Sequence, residues 1–318
     1  MRSKILVVGS LNMDLVATVE HLPRLGETVT GKRFDTYSGG KGANQAVAAA
    51  RMGASVAMVG AVGQDDYGRR LLEGLSRDGV DVQGVQTLPD LPTGVAVITV
   101  SADGHNTITV IPGANGGVQP SDLDLAADAF SACDLVVLQL ELPTDTVLRA
   151  AQLAHSYGKK VILNPAPYQT LPESLLQLVD VLVVNEIEGL QLSGRAPEFH
   201  ESGKVTGASP SKLSGMVFSP GDVMKALVEL GFPIVLMTMG ADGVYYSGEG
   251  RSGHIPAVKV SAVDTTAAGD TFAGAFAAFW QSVGLEKAVE LAVEAAGITV
   301  TRPGAQVSIP FEWELRGK

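Results

Sequence analysis

Six short, continuously apolar runs constrain the fold of this chain more than any other feature. They are residues 5–8, 55–59, 135–138, 161–163, 181–184 and 234–237. Stretches of helix length separate them. Four helical patterns, 43–52, 67–78, 144–157 and 222–230, each stop at or just before a glycine that can cap a helix. Strands that are apolar on both faces are typical of a parallel sheet covered by helices. The pattern therefore predicts an α/β fold with a doubly wound, mostly parallel sheet.

Four further segments alternate apolar and polar residues, as strands with one solvent-exposed face do. They are residues 15–19, 27–37, 93–100 and 106–111. Such strands usually pair as antiparallel hairpins. We expect a small antiparallel sheet that covers the mouth of a single domain, 1–318, as a lid formed within 15–37 and 93–111. A symmetric partner that covers this sheet would make a homodimer, whereas the alternative is a lid that folds onto its own substrate.

Composition excludes several classes of protein. Lys and Arg number 23 and Asp and Glu number 34, so the net charge of −11 argues against a nucleic-acid partner. The single cysteine, Cys133, excludes an internal disulfide and favours a reducing, cytoplasmic location. No apolar run approaches the ~18 residues of a membrane span. The five histidines are scattered without metal-ligand spacing, and no GxSxG motif occurs. Segment 193–221 is rich in Gly, Ser and Pro and is expected to be a flexible insertion.

Polar residues or glycines follow all six apolar runs, at the edge where parallel sheets bind ligands. The polar side chains after these runs include Asn12, Asp14, Gln139, Glu141, Asn164, Asn185, Glu188 and Thr238. A polar turn explains any one of them. Their occurrence after every run favours a binding site.

Three segments are candidate phosphate loops. Segment 38–44 resembles a P-loop, but Gly42 stands where a Ser or Thr would bind Mg²⁺. Segment 248–253 is a literal GxGxxG without a following helix, which favours a hairpin turn. Segment 264–271, with sequence DTTAAGDT, precedes an apolar helix and is the strongest candidate, because small residues let an anion approach the free amides of the first turn. A capping role explains Asp270 alone, but not the second carboxylate or the small residues.

Six segments give the chain a resemblance to the ribokinase-like family of ATP-dependent sugar and nucleoside kinases. They are 9–14 (GSLNMD), 39–44 (GGKGAN), 164–167 (NPAP), 185–188 (NEIE), 264–270 (DTTAAGD) and 301–306 (TRPGAQ). The resemblance runs end to end apart from 193–221. It implies an enzyme that uses ATP to phosphorylate the 5-hydroxyl of D-ribose, giving D-ribose 5-phosphate and ADP.

Other functions stay open beside this one. The acceptor could be 2-deoxyribose, a fructose-type ketose or an adenosine-type nucleoside. A non-catalytic sensor of sugar or nucleotide would be expected to lack the catalytic base or the anion hole. The residues that match them, Asp270 and Gly269, are both present. A nicotinamide-dependent enzyme would need a GxGxxG after the first strand, and segment 9–14 does not supply it.

The resemblance also implies roles for particular residues on the sugar side. Asp270 would be the general base that takes the proton of the sugar hydroxyl. Ala267, Ala268 and Gly269 would form the anion hole at the start of the helix. The residues that would hold ribose are Asn12, Asp14, Gly40, Lys41, Asn44, Glu141 and Asp270.

A second set of implied roles concerns ATP and cations. The residues that would contact ATP are Asn185, Thr238, Gly240, Asp242, Gly243 and Gly269. Asn185 and Glu188 would position the Mg²⁺ that accompanies ATP, through water. The residues that would surround an activating K⁺ are Asp264, Thr266, Thr299, Arg302, Gly304 and Ser308. No residue is assigned to the adenine base.

Overall fold

The structure is a computed structural model that describes residues 2–195, 198–199, 211–213 and 216–316. Its strands are β1 (Lys4–Val8), β2 (Asn12–Val19), β3 (Arg33–Gly39), β4 (Ser55–Gly63), β5 (Asp81–Leu88), β6 (Gly94–Ser101), β7 (Asn106–Ile111), β8 (Leu135–Leu138), β9 (Lys160–Leu163), β10 (Val181–Asn185), β11 (Glu198–Phe199), β12 (Ser211–Leu213), β13 (Met216–Phe218), β14 (Ile234–Thr238), β15 (Val244–Gly248) and β16 (Arg251–Ile255). Its helices are α1 (Lys41–Arg51), α2 (Asp66–Arg77), α3 (Pro120–Leu125), α4 (Ala127–Ala132), α5 (Thr144–Ser156), α6 (Glu173–Leu176), α7 (Glu186–Leu192), α8 (Pro220–Glu229), α9 (Ala268–Val283) and α10 (Leu285–Thr299).

Nine strands form the main sheet in the order β16-β15-β14-β10-β9-β8-β1-β4-β5. The seven strands from β14 to β5 are parallel, and the hairpin β15–β16 adds two antiparallel strands at one edge. The six apolar runs of the sequence are β1, β4, β8, β9, β10 and β14. The predicted fold class is confirmed, as is the hairpin at the GxGxxG segment, where Gly248 pairs with Arg251.

The two faces of the sheet carry separate hydrophobic cores, and β1 serves both. Ile5 and Val7 point into the core that includes α1, α9 and α10, whereas Leu6 and Val8 point into the core that includes α5. All four side chains are buried. This double burial is why the strand has no alternating polar residues.

A second sheet of four strands has the order β3-β2-β6-β7. Its outer pairs, β2–β3 and β6–β7, are antiparallel as expected, but the central pair β2–β6 is parallel. The expected lid sheet with its two antiparallel hairpins is therefore confirmed, and one parallel pair joins the hairpins. The chain leaves this sheet after β3, builds α1, β4, α2 and β5 in the main domain, and returns at β6. It thus re-enters in the same direction as β2, which a hairpin could not do.

The insertion expected over 193–221 lies largely outside the described residues. Of this stretch, the backbone of β11, β12 and β13 forms a three-stranded antiparallel sheet. Among the described helices, none has the length and apolar character needed to cross a bilayer.

Helices α1 and α9 approach each other closely, and this contact builds the site. A Cβ atom at Gly274 of α9 would lie 2.4 Å from the carbonyl oxygen of Gln45 and 2.7 Å from the Cβ of Ala48 in α1. Only glycine allows that approach. The contact brings the first turn of α1 beside the first turn of α9, so that residues far apart in the sequence share one site.

Candidate active site

The N-terminus of α9 presents unpaired amide groups. Ala267, which precedes the helix, has a left-handed backbone with φ 61°. The N–H of Ala268 donates to the carbonyl of Thr265 at 3.2 Å. Of the residues expected to form the anion hole, Ala268 therefore has its N–H already paired, whereas the N–H groups of Gly269 and of the next residue, Asp270, meet no acceptor in the part of the chain that the structure describes. Free amides at a helix N-terminus attract anions, so this turn is suited to a phosphate group.

Asp270 is buried beside these amides, with 8% of its surface exposed. Its Oδ2 accepts a hydrogen bond from Nδ2 of Asn44 at 2.9 Å, and its Oδ1 accepts one from Nε2 of Gln45 at 3.0 Å. The Oδ1 atom of Asn44 is also buried and has no partner among the described residues. An unpaired buried acceptor costs about 1–3 kcal/mol. A ligand hydroxyl that donates to it would remove this cost.

Glu141 gathers the sugar-side residues that the sequence suggested. Its Oε2 accepts hydrogen bonds from Oγ of Ser10 at 2.5 Å, from the backbone N–H of Lys41 at 3.2 Å and from Nδ2 of Asn12 at 3.4 Å. Asn115 in turn donates to Oδ1 of Asn12 at 2.8 Å. Residues from four parts of the chain thus form one polar cluster at the carboxyl end of β1.

Asp14 adds a third carboxylate to this region. It lies on β2 and is buried against Gly39, where a Cβ atom would come within 2.2 Å of its Oδ2. Burial is the main cause that raises the pKa of Asp14 to about 7, and the negative charges of Glu141 and Asp270 raise it further. The ammonium group of Lys41 acts in the opposite direction.

Lys41 supplies the positive charge that faces these carboxylates. Burial by itself would lower the pKa of its ammonium group, but the combined charges of Asp270, Glu141, Glu188 and Asp14 raise that pKa above its usual value. The side chain is therefore a fixed cation at the start of α1. Gly40, with φ 89°, makes the turn that places it there.

A cavity of about 230 Å³ connects Asp270 to the second half of the site, and we call it the cleft. Its lining comprises Lys41, Asn164, Ala166, Val183, Val184, Asn185, Glu188, Thr238, Thr265, Ala267, Ala268, Gly269 and Asp270. The expected anion hole and the expected nucleotide-side residues Asn185 and Thr238 therefore share one space. Gly240, Asp242 and Gly243 form a turn beyond Thr238 and are not part of this lining.

Asn185 and Glu188 hold each other in a capping box at the start of α7. The Oδ1 of Asn185 accepts from the N–H of Glu188 at 2.8 Å, and Oε2 of Glu188 accepts from the N–H of Asn185 at 2.9 Å. Burial raises the pKa of Glu188. Among the residues that the structure describes, no group of three or more acidic, His or Cys side chains could hold a metal ion.

The residues expected around K⁺ are only partly brought together. The carboxylate of Asp264 accepts from the N–H of Thr266 at 2.9 Å and from the N–H of Gly304 at 2.8 Å. The N–H of Arg302 donates to the carbonyl of Thr299 at 3.1 Å. Ser308 instead donates its hydroxyl to the carbonyl of Ala305 at 2.7 Å.

Sequence reasoning gave no role to several buried amides of the site. Gln45, Gln139, Asn164 and Asn115 are all buried and hydrogen-bonded to residues of the two halves. Gln139 and Asn164 follow buried strands, and the sequence placed both at the expected binding edge without a specific role. The signal at Gln45 was a polar residue inside the Ala-rich pattern of α1.

Binding an anion at a helix N-terminus and accepting a proton from a hydroxyl are the two tasks of an enzyme that transfers a phosphoryl group to an alcohol. The fold and the site thus define a kinase of a small polar molecule. A family model described as pfkB family carbohydrate kinase matches residues 2–312. The chain therefore belongs to the pfkB family of carbohydrate kinases, which confirms the resemblance found in the sequence.

Several relatives that match almost the full length of the chain are sugar kinases. The chain is 38% identical over 318 residues to the ribokinase of Staphylococcus aureus (strain COL), covering 99% of this chain and 99% of that enzyme. It is 36% identical over 308 residues to the deoxyribokinase of Salmonella typhi, covering 96% of this chain and 95% of that enzyme. The solved structure of Arabidopsis thaliana ribokinase complexed with ribose and ATP has a TM-score of 0.85 and 30% identity, covering 98% of this chain and 97% of that chain.

Proposed function

We propose that the protein phosphorylates the 5-hydroxyl of D-ribose with ATP, giving D-ribose 5-phosphate and ADP. The observation that carries the proposal is the meeting of a buried carboxylate, Asp270, with unpaired amide N–H groups at one end of the cleft. A hydroxyl and a γ-phosphate would meet at that point. The similarity to ribokinases, one of them solved with ribose and ATP, supports ribose as the acceptor.

The chemistry follows from the positions of the groups. The 5-hydroxyl oxygen of ribose attacks the γ-phosphorus of ATP while its proton passes to the carboxylate of Asp270. The bond from the γ-phosphorus to the oxygen shared with the β-phosphate breaks, and its electron pair leaves with ADP. The N–H groups of Gly269 and Asp270 stabilise the negative charge on the transferring group, and the ammonium of Lys41 neutralises charge between the two substrates.

The polar cluster suits a polyol. Asn12, Asp14 and Glu141 offer amide and carboxylate groups that can take adjacent hydroxyls, and we place Gly40, Lys41 and Asn44 with them in the ribose site. The unpaired Oδ1 of Asn44 accepts a sugar hydroxyl in this arrangement. A buried group such as Asp14 that pairs with a ribose hydroxyl would be left unpaired by the deoxy sugar.

A panel of acceptors tests the substrate assignment. We expect ADP release with D-ribose to have a kcat/KM at least about 10²-fold above that with 2-deoxyribose, because a site built for a hydroxyl discriminates strongly against its absence. Fructose and adenosine serve as the other acceptors. Equal or higher kcat/KM with 2-deoxyribose would make the protein a deoxyribokinase instead. Saturable binding without ADP release would indicate a sensor.

Mg²⁺ fits the cleft as a partner of ATP. Besides Asp270, one buried carboxylate, Glu188, lines the cleft and is held by Asn185. Mg²⁺ prefers to keep several waters and to be bound by one or two carboxylates together with substrate phosphates. When bound, it neutralises charge on the phosphates. We assign its placement to Asn185 and Glu188, and contacts with the rest of ATP to Thr238, Gly240, Asp242, Gly243 and Gly269.

We also propose activation by K⁺ at the loops beside the anion hole. Both carboxylate oxygens of Asp264 are occupied by amide N–H groups, which holds the loop of Thr266 against that of Gly304. Backbone carbonyls of these loops, with those around Thr299, Arg302 and Ser308, are the available hard donors. Activity in KCl should exceed activity in tetramethylammonium chloride of equal ionic strength. Equal activity in the two salts would contradict activation by K⁺.

The exposed apolar residues of the four-stranded sheet support a homodimer formed through the lid. Phe34, Val97, Ile108 and Val110 on this sheet are all exposed. The register places Phe34 and Val97 on one face of the sheet and Ile108 and Val110 on the other, and exposed apolar patches mark interaction sites. Sedimentation at low micromolar concentration should give the dimer mass. A monomer mass would contradict the dimer and favour a lid that folds onto the substrate of its own subunit.

A cytoplasmic location fits the single thiol, Cys133, which is buried and free.

Asp14 gives a stability prediction with a defined sign. Its pKa is about 7 in the folded protein and 3.8 as an ordinary carboxyl. Between these values the folded protein binds the extra proton, so the free energy of unfolding falls as the pH rises from about 4 to 7. Asp14→Asn removes this dependence. We expect the variant to be more stable than the wild type at pH 8, on the order of 1–3 kcal/mol, and little changed near pH 4.

Urea unfolding at the two pH values checks this expectation, with Asp35→Asn as the control. Asp35 lies on the neighbouring strand β3 and pairs with Arg33 at 2.6 Å. The same Asp14 variant should bind ribose about 10–100-fold more weakly, because it loses charge-assisted hydrogen bonds. An Asp14→Asn variant that is less stable than the wild type at pH 8 would contradict the burial argument.

A further inference from the structure

Buried side-chain amides form a hydrogen-bonded chain that ends at Asp270. Nε2 of Gln139 donates to Oε1 of Gln45 at 2.7 Å. Nε2 of Gln45 donates both to Oδ1 of Asp270 at 3.0 Å and to Oδ1 of Asn164 at 3.1 Å. Nδ2 of Asn164 then donates to the carbonyl of Val183 at 2.9 Å. Gln45 is at the centre of this chain and is 0% exposed.

The direction of these hydrogen bonds fixes the orientation of Gln45. A glutamine amide can turn so that either its oxygen or its nitrogen faces a neighbour. Because Gln139 donates to the oxygen, the NH₂ group must point toward Asp270 and Asn164. The opposite orientation would set an amide oxygen against a carboxylate. The carboxylate of Asp270 can only accept, so it requires the NH₂ group of Gln45 to face it, and Gln139 holds the amide in that orientation by donating to its oxygen. The Oε1 atom of Gln139 is itself buried and has no partner among the described residues.

An amide is well suited to hold a general base. Its N–H donates a hydrogen bond to the carboxylate but is too weak an acid to give up its proton, so it fixes Oδ1 of Asp270 and does not neutralise the group. Asn44 holds the other oxygen in the same way. Two neutral donors thus fix the plane of the carboxylate.

The packing around Gln45 and Gln139 leaves them little freedom. A Cβ atom at Gly9 would lie 2.0 Å from Oε1 of Gln139, so only glycine makes room for that side chain. Gly274 sets the approach of α9 to the backbone of Gln45. The neighbours of Gln45 in α1, Ala46 and Val47, are buried and apolar. A role in packing alone would not need a glutamine at this position.

We propose that Gln45 is a positioning residue for phosphoryl transfer, with Gln139 setting its orientation. Gln45 fixes the carboxylate of Asp270 so that a lone pair meets the acceptor hydroxyl. This inference depends on the proposed function, in which Asp270 is the general base. A misplaced base slows the chemical step, whereas the residues that bind ribose and ATP stay in place.

The test replaces Gln45 by methionine, which keeps the length of the side chain and removes the donor. We expect Gln45→Met to lower kcat about 10–100-fold, as a misplacement of about 1 Å can, and to leave the KM values for ribose and ATP within about threefold. Gln139→Met should lower kcat less, about 3–10-fold. The double variant should be no slower than Gln45→Met, because the two residues act through one hydrogen bond to the base.

Thr146→Val is the matched control. It removes an equally buried hydrogen bond, from Oγ1 of Thr146 to the carbonyl of Val118 at 2.7 Å, on a helix that does not line the cleft. It should lower the melting temperature without changing kcat. If Gln45→Met does not fold, Gln139→Met carries the test, because its side chain does not touch Asp270.

The outcomes separate this inference from the proposed function. Wild-type kcat in the folded Gln45→Met or Gln139→Met variant would overturn the inference, as would a loss that falls on KM instead of kcat. Near-normal activity of Asp270→Asn would instead show that Asp270 is not the general base, and the proposed mechanism would then be wrong. An inactive Asp270→Asn together with a fully active Gln45→Met would leave the mechanism in place and reject the positioning role alone.

Discussion

Replacing Asp270 by asparagine is expected to lower kcat about 10²–10⁴-fold, the contribution typical of a general base. Asparagine keeps the shape of the side chain but cannot accept the hydroxyl proton. Its Oδ1 can still accept from Gln45, and its Nδ2 can donate to the free Oδ1 of Asn44 once that amide turns, so the helix start should keep its geometry. We expect the dissociation constant for ribose, measured by calorimetry, to change by no more than about threefold, since most hydroxyl partners remain.

The control for this variant is an aspartate that caps a helix away from the cleft. Asp65 precedes α2, its Oδ1 accepts from the N–H of Gly68 at 2.8 Å, and its two oxygens also accept from the backbone N–H and the hydroxyl of Thr93. Asp65→Asn should cost about 1–3 kcal/mol of stability and leave kcat unchanged. An Asp270→Asn variant with kcat within tenfold of the wild type, or with the same small loss as Asp65→Asn, would reduce Asp270 to a capping residue.

Gly269→Val is expected to lower kcat/KM for ATP about 10²–10³-fold, the loss seen when one donor to a developing anion is removed. Gly269 lines the cleft, and a Cβ atom there would meet no atom within 4 Å. The valine side chain therefore has room, and the variant should fold. It would fill the space over the free amides of the first turn of α9 and keep the phosphate away from them.

Two other glycines separate this effect from damage to a helix. Gly221 is the second residue of α8, as Gly269 is of α9, and a Cβ atom there would meet only Oγ of Ser219 at 3.8 Å. Gly221→Val should leave activity unchanged. Gly274→Val should unfold the protein, because its Cβ would overlap the backbone of Gln45. Full activity of Gly269→Val would show that γ-phosphate binds elsewhere.

The sequence predicted the centre of the main sheet and not its edge. Strands such as β1 and β8 have both faces buried, so a short apolar run identifies them. Strand β5 lies at the edge of the sheet and has no fully buried residue, so it gives no such signal. The parallel pairing of β2 with β6 is also invisible locally, because it depends on the path of the chain between them.

The site was predictable where its residues sit in one segment. The DTTAAGDT segment predicted Asp270 at a helix start, which the structure shows. The resemblance marked Asn185 and Glu188 of the NEIE segment for Mg²⁺, and the structure shows them paired in a capping box. The hydrogen-bond partners of Asp270 could not be predicted in this way. Gln45 is 225 positions away and meets it only because α1 packs on α9. No periodicity or spacing reports such a contact, which arises from tertiary packing.

The most direct test of the account is a structure with D-ribose and a non-hydrolysable ATP analogue bound. A carboxylate oxygen of Asp270 should lie about 2.6–3.2 Å from the 5-oxygen of the sugar, which is the reach of a general base. A γ-phosphate oxygen should lie about 2.7–3.1 Å from the amide nitrogen of Gly269. A sugar whose nearest hydroxyl stays beyond hydrogen-bond reach of Asp270 would contradict the mechanism.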